Sequence, residues 1–236
     1  MKPTFRSAAA FFAFAFFILI INACETSEIN PVQIPSGQDY YPVKVGMFHI
    51  YRVDSVEYTF SGQRYHGSFF YKEKISDTLP DQEGSKVFRI EIYSTQNTGS
   101  AWHLDSVWSV RVSSDKIIKT ENNRPIVKMY FPLKEGSRWD GNQFNTLQDS
   151  NSVFWFRVQN LGKTAGFQNK NVESVEIVQK IDSNCINFSY FTEVYFKNIG
   201  LGYRRKTYFD YESCTGVPVI SQGRSFEYFL IEHGIE

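Results

Sequence analysis

No run of apolar residues in this sequence is long enough to cross a bilayer as a helix. The longest, residues 8–21 (AAAFFAFAFFILII), has fourteen members, where a spanning helix needs about 20. Histidine is scarce: His49, His66, His103 and His233 are scattered, with no pair at metal-ligand spacing, so no metal site is expected from them. Net charge is absent, 25 basic residues balancing 25 acidic ones, and nothing in that balance points to nucleic acid. No stretch carries a sustained helical stripe with caps, which excludes a helical bundle.

What is present begins at the N-terminus. Lys2 and Arg6 precede the short apolar run, the order of a signal peptide with its basic and hydrophobic regions. Ile21-Asn22-Ala23-Cys24 follows and resembles the lipobox cut by the bacterial lipoprotein peptidase. The resemblance implies cleavage before Cys24 and lipid on its sulfur and amine, a stable membrane anchor because several acyl chains are buried together. Residues 1–23 therefore read as a signal peptide. Residues 24–39, with two prolines, a glycine and few apolar side chains, read as a flexible tether. Inner-membrane retention resembles an aspartate after the cysteine; Glu25 stands there, so the expected location is the outer membrane, with the leaflet open.

Residues 40–236 are of a size for one domain with a substantial core. Phe88, Ile90 and Ile92 alternate with Arg89 and Glu91; Val127, Met129 and Phe131 alternate with Lys128 and Tyr130; Phe226, Tyr228 and Leu230 alternate around Glu227 and Phe229. Period two of this kind marks strands with one buried face. Turn chemistry separates them at Asp81-Gln82-Glu83-Gly84, Asn97-Thr98-Gly99, Glu121-Asn122-Asn123-Arg124-Pro125 and Asn160-Leu161-Gly162. Connections this short cannot make parallel crossovers. The expected fold is all-β: a single antiparallel domain, a strongly curved sheet or incomplete barrel, with a β-sandwich as the alternative.

One segment returns. Tyr41-Pro42-Val43-Lys44-Val45-Gly46, with His49 after it, is echoed by Phe131-Pro132-Leu133-Lys134-Glu135-Gly136 and Trp139. Proline suits strand entry and glycine a turn, so each copy is expected to launch a strand. With Asn198-Ile199-Gly200-Leu201-Gly202-Tyr203, these entries resemble uncharacterised outer-membrane lipoproteins of Bacteroidetes type, a likeness of lineage that implies no activity. His49 departs from the tryptophan usual at that place. A duplicated half-domain is one reading of the echo.

If residues 198–201 turn a hairpin between Ile199 and Gly200, Phe196 faces Tyr203, Glu193 faces Lys206, Phe191 faces Tyr208, and Cys185 meets Cys214. Export places these two cysteines in an oxidising compartment, and opposed antiparallel residues lie within disulfide reach. A Cys185–Cys214 disulfide is expected.

Catalytic chemistry is thin, and no catalytic residue or cofactor is assigned. Ser113-Ser114-Asp115-Lys116 has Ser-x-x-Lys spacing, but in a turn and without companion motifs. Asp81 and Glu83, or Glu25 and Glu28, lie in polar loops with nothing to set them at a glycosidase separation. Asp54-Ser55-Val56, Asp77-Thr78-Leu79 and Asp105-Ser106-Val107 resemble the acceptor of an O-glycosylation system of exported Bacteroidetes proteins, making Ser55, Thr78 and Ser106 candidates for modification; average composition gives fewer than about one such triplet. The functional expectation is a lipid-anchored envelope lipoprotein acting as a non-catalytic binding or assembly module. Its partners are the membrane and an apolar or glycan ligand or an envelope protein. The alternative is a glycan-directed hydrolase.

Overall fold

Strands rich in aromatic and β-branched residues, each buried on alternate positions, cannot cover themselves as a flat sheet. The computed structural model shows how they close. It describes residues 36–80, 86–145, 154–179, 182–215 and 219–236, all within one unit, Pro35–Glu236. A single 3-10 turn, Gln38–Tyr40, precedes the strands. Seven follow in the first part: β1 (Met47–Tyr58), β2 (Arg64–Leu79), β3 (Lys86–Thr95), β4 (His103–Val112), β5 (Lys116–Glu121), β6 (Arg124–Tyr130) and β7 (Arg138–Asp140). Six more complete the sheet: β8 (Trp155–Phe167), β9 (Lys170–Gln179), β10 (Asp182–Ser183), β11 (Asn187–Phe196), β12 (Gly200–Tyr211) and β13 (Ile220–Ile235).

Twelve of these lie along one antiparallel path, β6-β5-β4-β3-β2-β1-β13-β12-β11-β9-β8-β7, and the short β10 pairs β11. The two ends of the path meet. The Val127 amide on β6 donates to the Gly141 carbonyl just after β7 (2.8 Å), and the Trp139 indole on β7 donates to the Val127 carbonyl (2.8 Å). The sheet is thus a nearly closed barrel, the curved form expected from the sequence, and closure removes most of the exposed edge. Its interior holds the core, from Tyr51, Val53 and Ile90 through Val110, Val127 and Met129 to Val158, Ile177 and Tyr195. Outward positions carry charged pairs such as Arg52–Asp54 (3.2 Å) and Arg205–Glu227 (3.3 Å).

The path reads as two six-stranded meanders, β1 to β6 and β7 to β13, joined where β1 pairs β13 and closed where β6 meets β7. Each meander opens on one copy of the repeated segment, and the two copies make the same turn. Met47 N donates to Lys44 O and Ser137 N to Lys134 O, both at 3.0 Å. Gly46 N then donates into the neighbouring strand at Ile75 O (2.8 Å), as Gly136 N does at Val158 O (2.9 Å). Both glycines sit at positive φ, 86° and 79°, where a side chain would be strained. Even the divergent residues correspond: His49 and Trp139 each send a ring nitrogen to a backbone carbonyl of the other half, at Ile199 and Val127.

Several sequence expectations are corrected. The β11–β12 hairpin departs from the expected register, by three residues next to the turn, where Phe196 faces Gly200, and by two beyond the bulge, where Glu193 faces Arg204 and Phe191 faces Lys206. The turn takes three residues, and Gly202 is squeezed into a bulge beside Val194 and Tyr195, its missing Cβ filled by the Phe196 ring. Beyond the bulge the offset of two leaves side chains on their expected faces. Lys128 does not alternate outward, because the β5–β6 pairing skips it as a bulge and buries it with Val127 and Met129. Asn160-Leu161-Gly162 is a bulge inside β8 rather than a turn between strands. Residues 36–39, assigned to the tether on composition, are bonded to the barrel through Ser36 O and Asp39 O, which accept from Leu133 N and Asn198 N. The expected turn at residues 81–84 lies outside the described residues.

Candidate functional site

Among the described residues, six ionised side chains form a network inside the barrel. Alternation on β2 puts Glu73 between Tyr71 and Ile75 on the inner face; likewise Lys119 follows Ile117 on β5, and Glu193 lies between Phe191 and Tyr195 on β11. Arg204 faces inward opposite Glu193, the bulge supplies Lys128, and Glu121 ends β5. Lys119 Nζ donates to both oxygens of Glu73 at 2.8 and 2.9 Å, although β5 and β2 are not neighbours in the sheet. Glu193 Oε1 accepts from Arg204 Nε (2.8 Å) and Lys128 Nζ (3.1 Å). Glu121 Oε1 lies among Lys128, Lys119 and Arg204 at 3.2, 3.8 and 4.0 Å, paired by charge without hydrogen-bond geometry. Three cations and three carboxylates cancel, as buried charge requires.

The walls complete the network. Tyr195 donates its hydroxyl to Glu193 Oε2 (2.8 Å), and Lys119, Lys128 and Arg204 lie over the rings of Trp108, Phe191 and Tyr228 at 4.9, 5.4 and 5.4 Å. Burial alone would raise the three carboxyls. The lysines and Arg204 outweigh it and hold Glu73, Glu121 and Glu193 below the usual carboxylate range. Burial, reinforced by these carboxylates, pushes the Tyr51, Tyr71 and Tyr195 hydroxyls well up, so they stay protonated donors. Between Tyr41, His49, Glu73, Lys119, Gly200 and Arg204 a cavity of about 40 Å³ remains. That is room for water, not for a sugar or an acyl chain.

His49 closes one end of this interior. Its Nε2–H donates to Ile199 O at 2.6 Å, and the ring sits where a Cβ on Gly200 would be crowded, at 3.2 Å. Burial lowers its pKa, only partly opposed by the Ile199 carbonyl and Glu73, while His233 and Lys119 lower it further. Neutral His49 is therefore favoured by folding. Above the ordinary histidine value of 6.5 it contributes in full; as pH falls through the range below 6.5, the unfolded chain takes up a proton first and stability drops. A further drop follows below about 4.5, where the depressed carboxyls add to it. Urea midpoints across pH 4 to 8 should show both steps, and H49Q, which keeps a donor for Ile199, should lack the upper one.

On the outer wall a second feature is open to solvent. Arg138, Trp155, Phe156, Arg157, Gln159, Val178 and Gln179 line a groove of about 720 Å³ across β7, β8 and β9. Trp155 is 48% exposed there.

The disulfide and modification candidates assigned from sequence lie apart from both features. Cys185 and Cys214 form the expected disulfide (Cα–Cα 4.6 Å), in loops at the far end of the β11–β12 hairpin. Ser55 is half-buried on β1 with its hydroxyl on Gly67 O (3.2 Å); Thr78 is exposed at the end of β2; Ser106 is half-buried on β4. Ser113 and Lys116 share the β4–β5 turn and are both tied to Asp115 (2.7 and 2.8 Å). Cys24 lies outside the described residues. Among the described residues no cluster of three His, Cys, Asp or Glu could hold a metal ion. The ionic interior was missed by sequence reading, although a charge on the apolar face of an alternation, as in Phe191-Glu193-Tyr195, was its signal.

These features define a class: a twelve-stranded up-and-down barrel, ion-paired inside and charged outside. No family model matches the sequence, and no curated protein does. Among solved structures, a 2.70 Å crystal structure of a protein from Parabacteroides distasonis ATCC 8503, provisionally described as a lipoprotein, is similar over 83% of this chain and 98% of its own, at 10% identity and a TM-score of 0.37. At that score the likeness carries no argument about fold or activity.

Proposed function

We propose that the chain is a lipoprotein of the outer membrane, anchored through Cys24, whose barrel is a non-catalytic module binding its ligand on the outer wall. The observation that carries the binding reading is the contrast between the two cavities. The interior charges neutralise one another around about 40 Å³, whereas the outer groove offers about 720 Å³ lined by side chains that can contact a ligand. The lipobox and the strand-entry segments support the anchor.

Intact-mass analysis of protein taken from its own envelope tests the anchor: the mature mass should begin at Cys24 and include acyl chains, and C24A should leave the protein unacylated. An unlipidated N-terminus in the native protein would refute it. The same spectra read O-glycosylation at Ser55, Thr78 and Ser106. Thr78, the exposed one, is expected to be modified first, and unmodified peptides at all three would end that part of the proposal.

A further inference from the structure

The outer groove carries an arrangement that folding alone does not explain. Arg138 on β7 and Arg157 on β8 are directly opposed partners in the antiparallel pairing. Both are exposed, on the outward face of the pair. Like charges placed directly opposite one another destabilise a strand pair, and proteins usually relieve the conflict with a nearby carboxylate. Here none does. Among the described residues neither guanidinium has an ion-pair or hydrogen-bond partner. The closest candidates in sequence and sheet are engaged elsewhere. Asp140 Oδ1 accepts from the amides of Asn142 (2.8 Å) and Phe154 (3.1 Å), Glu135 Oε2 from Leu161 N (2.9 Å), and the Glu176 carboxylate from Asn160 (2.6 Å) and Thr192 (2.9 Å). By contrast, Arg52, Arg89 and Arg205 each have a carboxylate within the sheet, at 3.2, 3.4 and 3.3 Å.

Beside the two guanidiniums stands Trp155, half-exposed at the groove, with Gln159 and Gln179 along the same lining. An indole face offers an apolar platform with a polar edge, a planar guanidinium grips a carboxylate or sulfate in bidentate fashion, and side-chain amides can both donate to and accept from hydroxyls. The volume suits a few sugar units. We infer that this groove binds an acidic saccharide, its anionic group held between Arg138 and Arg157 and a ring face laid on Trp155. The inference rests on the reading of the barrel as a binding module and names its ligand class. A uronic-acid carboxylate and a sulfate ester share the chemistry, and the test separates them.

The purified full chain is titrated calorimetrically with three probes: an oligogalacturonate, the same oligomer fully methyl-esterified, and a chondroitin sulfate oligosaccharide. At least one acidic probe is expected to bind, the one that does naming the acid group, with affinity falling as salt is raised. The methyl ester should bind about tenfold or more weakly, and the double variant R138Q/R157Q should lose a similar factor. W155A should weaken binding of the acidic probe as well. Both variants should melt no lower than the parent by more than the few degrees a surface change allows, and R138Q/R157Q should gain if the opposed charges strain the pair. Equal binding of ester and acid, unchanged by R138Q/R157Q but lost in W155A, overturns the anionic inference and leaves the binding module standing. Absence of binding by all three probes overturns both.

Discussion

Replacing Glu193 by alanine is expected to destabilise the protein by about 3 to 5 kcal/mol, the usual cost of removing one partner from a buried ion pair. Glu193 is fully buried and holds two cations at once, Arg204 Nε at 2.8 Å and Lys128 Nζ at 3.1 Å. Without it the interior keeps three cations and two carboxylates, and Tyr195 loses its acceptor. For a domain of this length the loss corresponds to a fall in melting temperature of roughly 6 to 20 °C. The size of the effect belongs to the uncompensated charge rather than to the pair itself. E193L/R204M removes one charge of each sign and fills the space with apolar atoms, leaving Lys128 paired to Glu121 at 3.2 Å. That double variant is expected to recover most of the loss. A single E193A melting within about 2 °C of the parent would show that water or rearrangement satisfies the site, and would remove the network from the account of stability.

How this interior escaped sequence reading is physically informative. The alternation of Phe88, Ile90 and Ile92 identifies a strand and its buried face, because those side chains have one place to go. A lysine or glutamate at such a position reads as a lapse in the pattern, since the carboxylate that excuses Lys119 is forty-six residues away and lies across the barrel rather than on the next strand. Closure was legible only as curvature: short connections and aromatic density imply a bent sheet, but the pairing that joins the first and last strands, β1 with β13, leaves no mark in the local sequence. Register was lost for a more local reason. The Gly200-Leu201-Gly202 segment looks like a turn, whereas only its first glycine borders the turn and the second is a bulge that makes room for Phe196. Because the offset beyond that bulge is two residues, the side chains there keep their expected faces.

The repeated entry segment gained most from the structure. In sequence its two copies share an aromatic-Pro-x-Lys-x-Gly pattern and little follows. In the barrel they hold equivalent bonds at the head of two equal meanders, and their one conspicuous difference, histidine against tryptophan, preserves a ring N–H donor to a carbonyl across the boundary between halves. Conservation of that bond, rather than of the residue, accounts for how His49 can stand where the pattern has an indole.

Loss of the Cys185–Cys214 bridge is the second change with a large expected effect. The bond closes a separation of 29 residues, which holds all of β11 and β12. On the chain-entropy model a loop of that size stabilises by roughly 3 to 4 kcal/mol. Observed pairing explains how the cysteines meet despite the shifted register. The ladder runs regularly to Asn187 and Asp210, Tyr211 N then donates to Ile186 O (2.8 Å), and the irregular residues after Tyr211 bring Cys214 back to Cys185, whose turn is capped by Asn184 Oδ1 on the amides of Ile186 and Asn187. Since these contacts form a local loop far from the ionic interior, C185S/C214S should lower the urea midpoint while leaving the pH dependence set by His49 and the three glutamates unchanged. Reductant should reproduce the shift in the parent and do nothing to the variant. A variant as stable as the oxidised parent would mean that the β10–β11 turn and the strand ladder already fix this end of the hairpin, so that the bond adds no constraint the folded chain lacks.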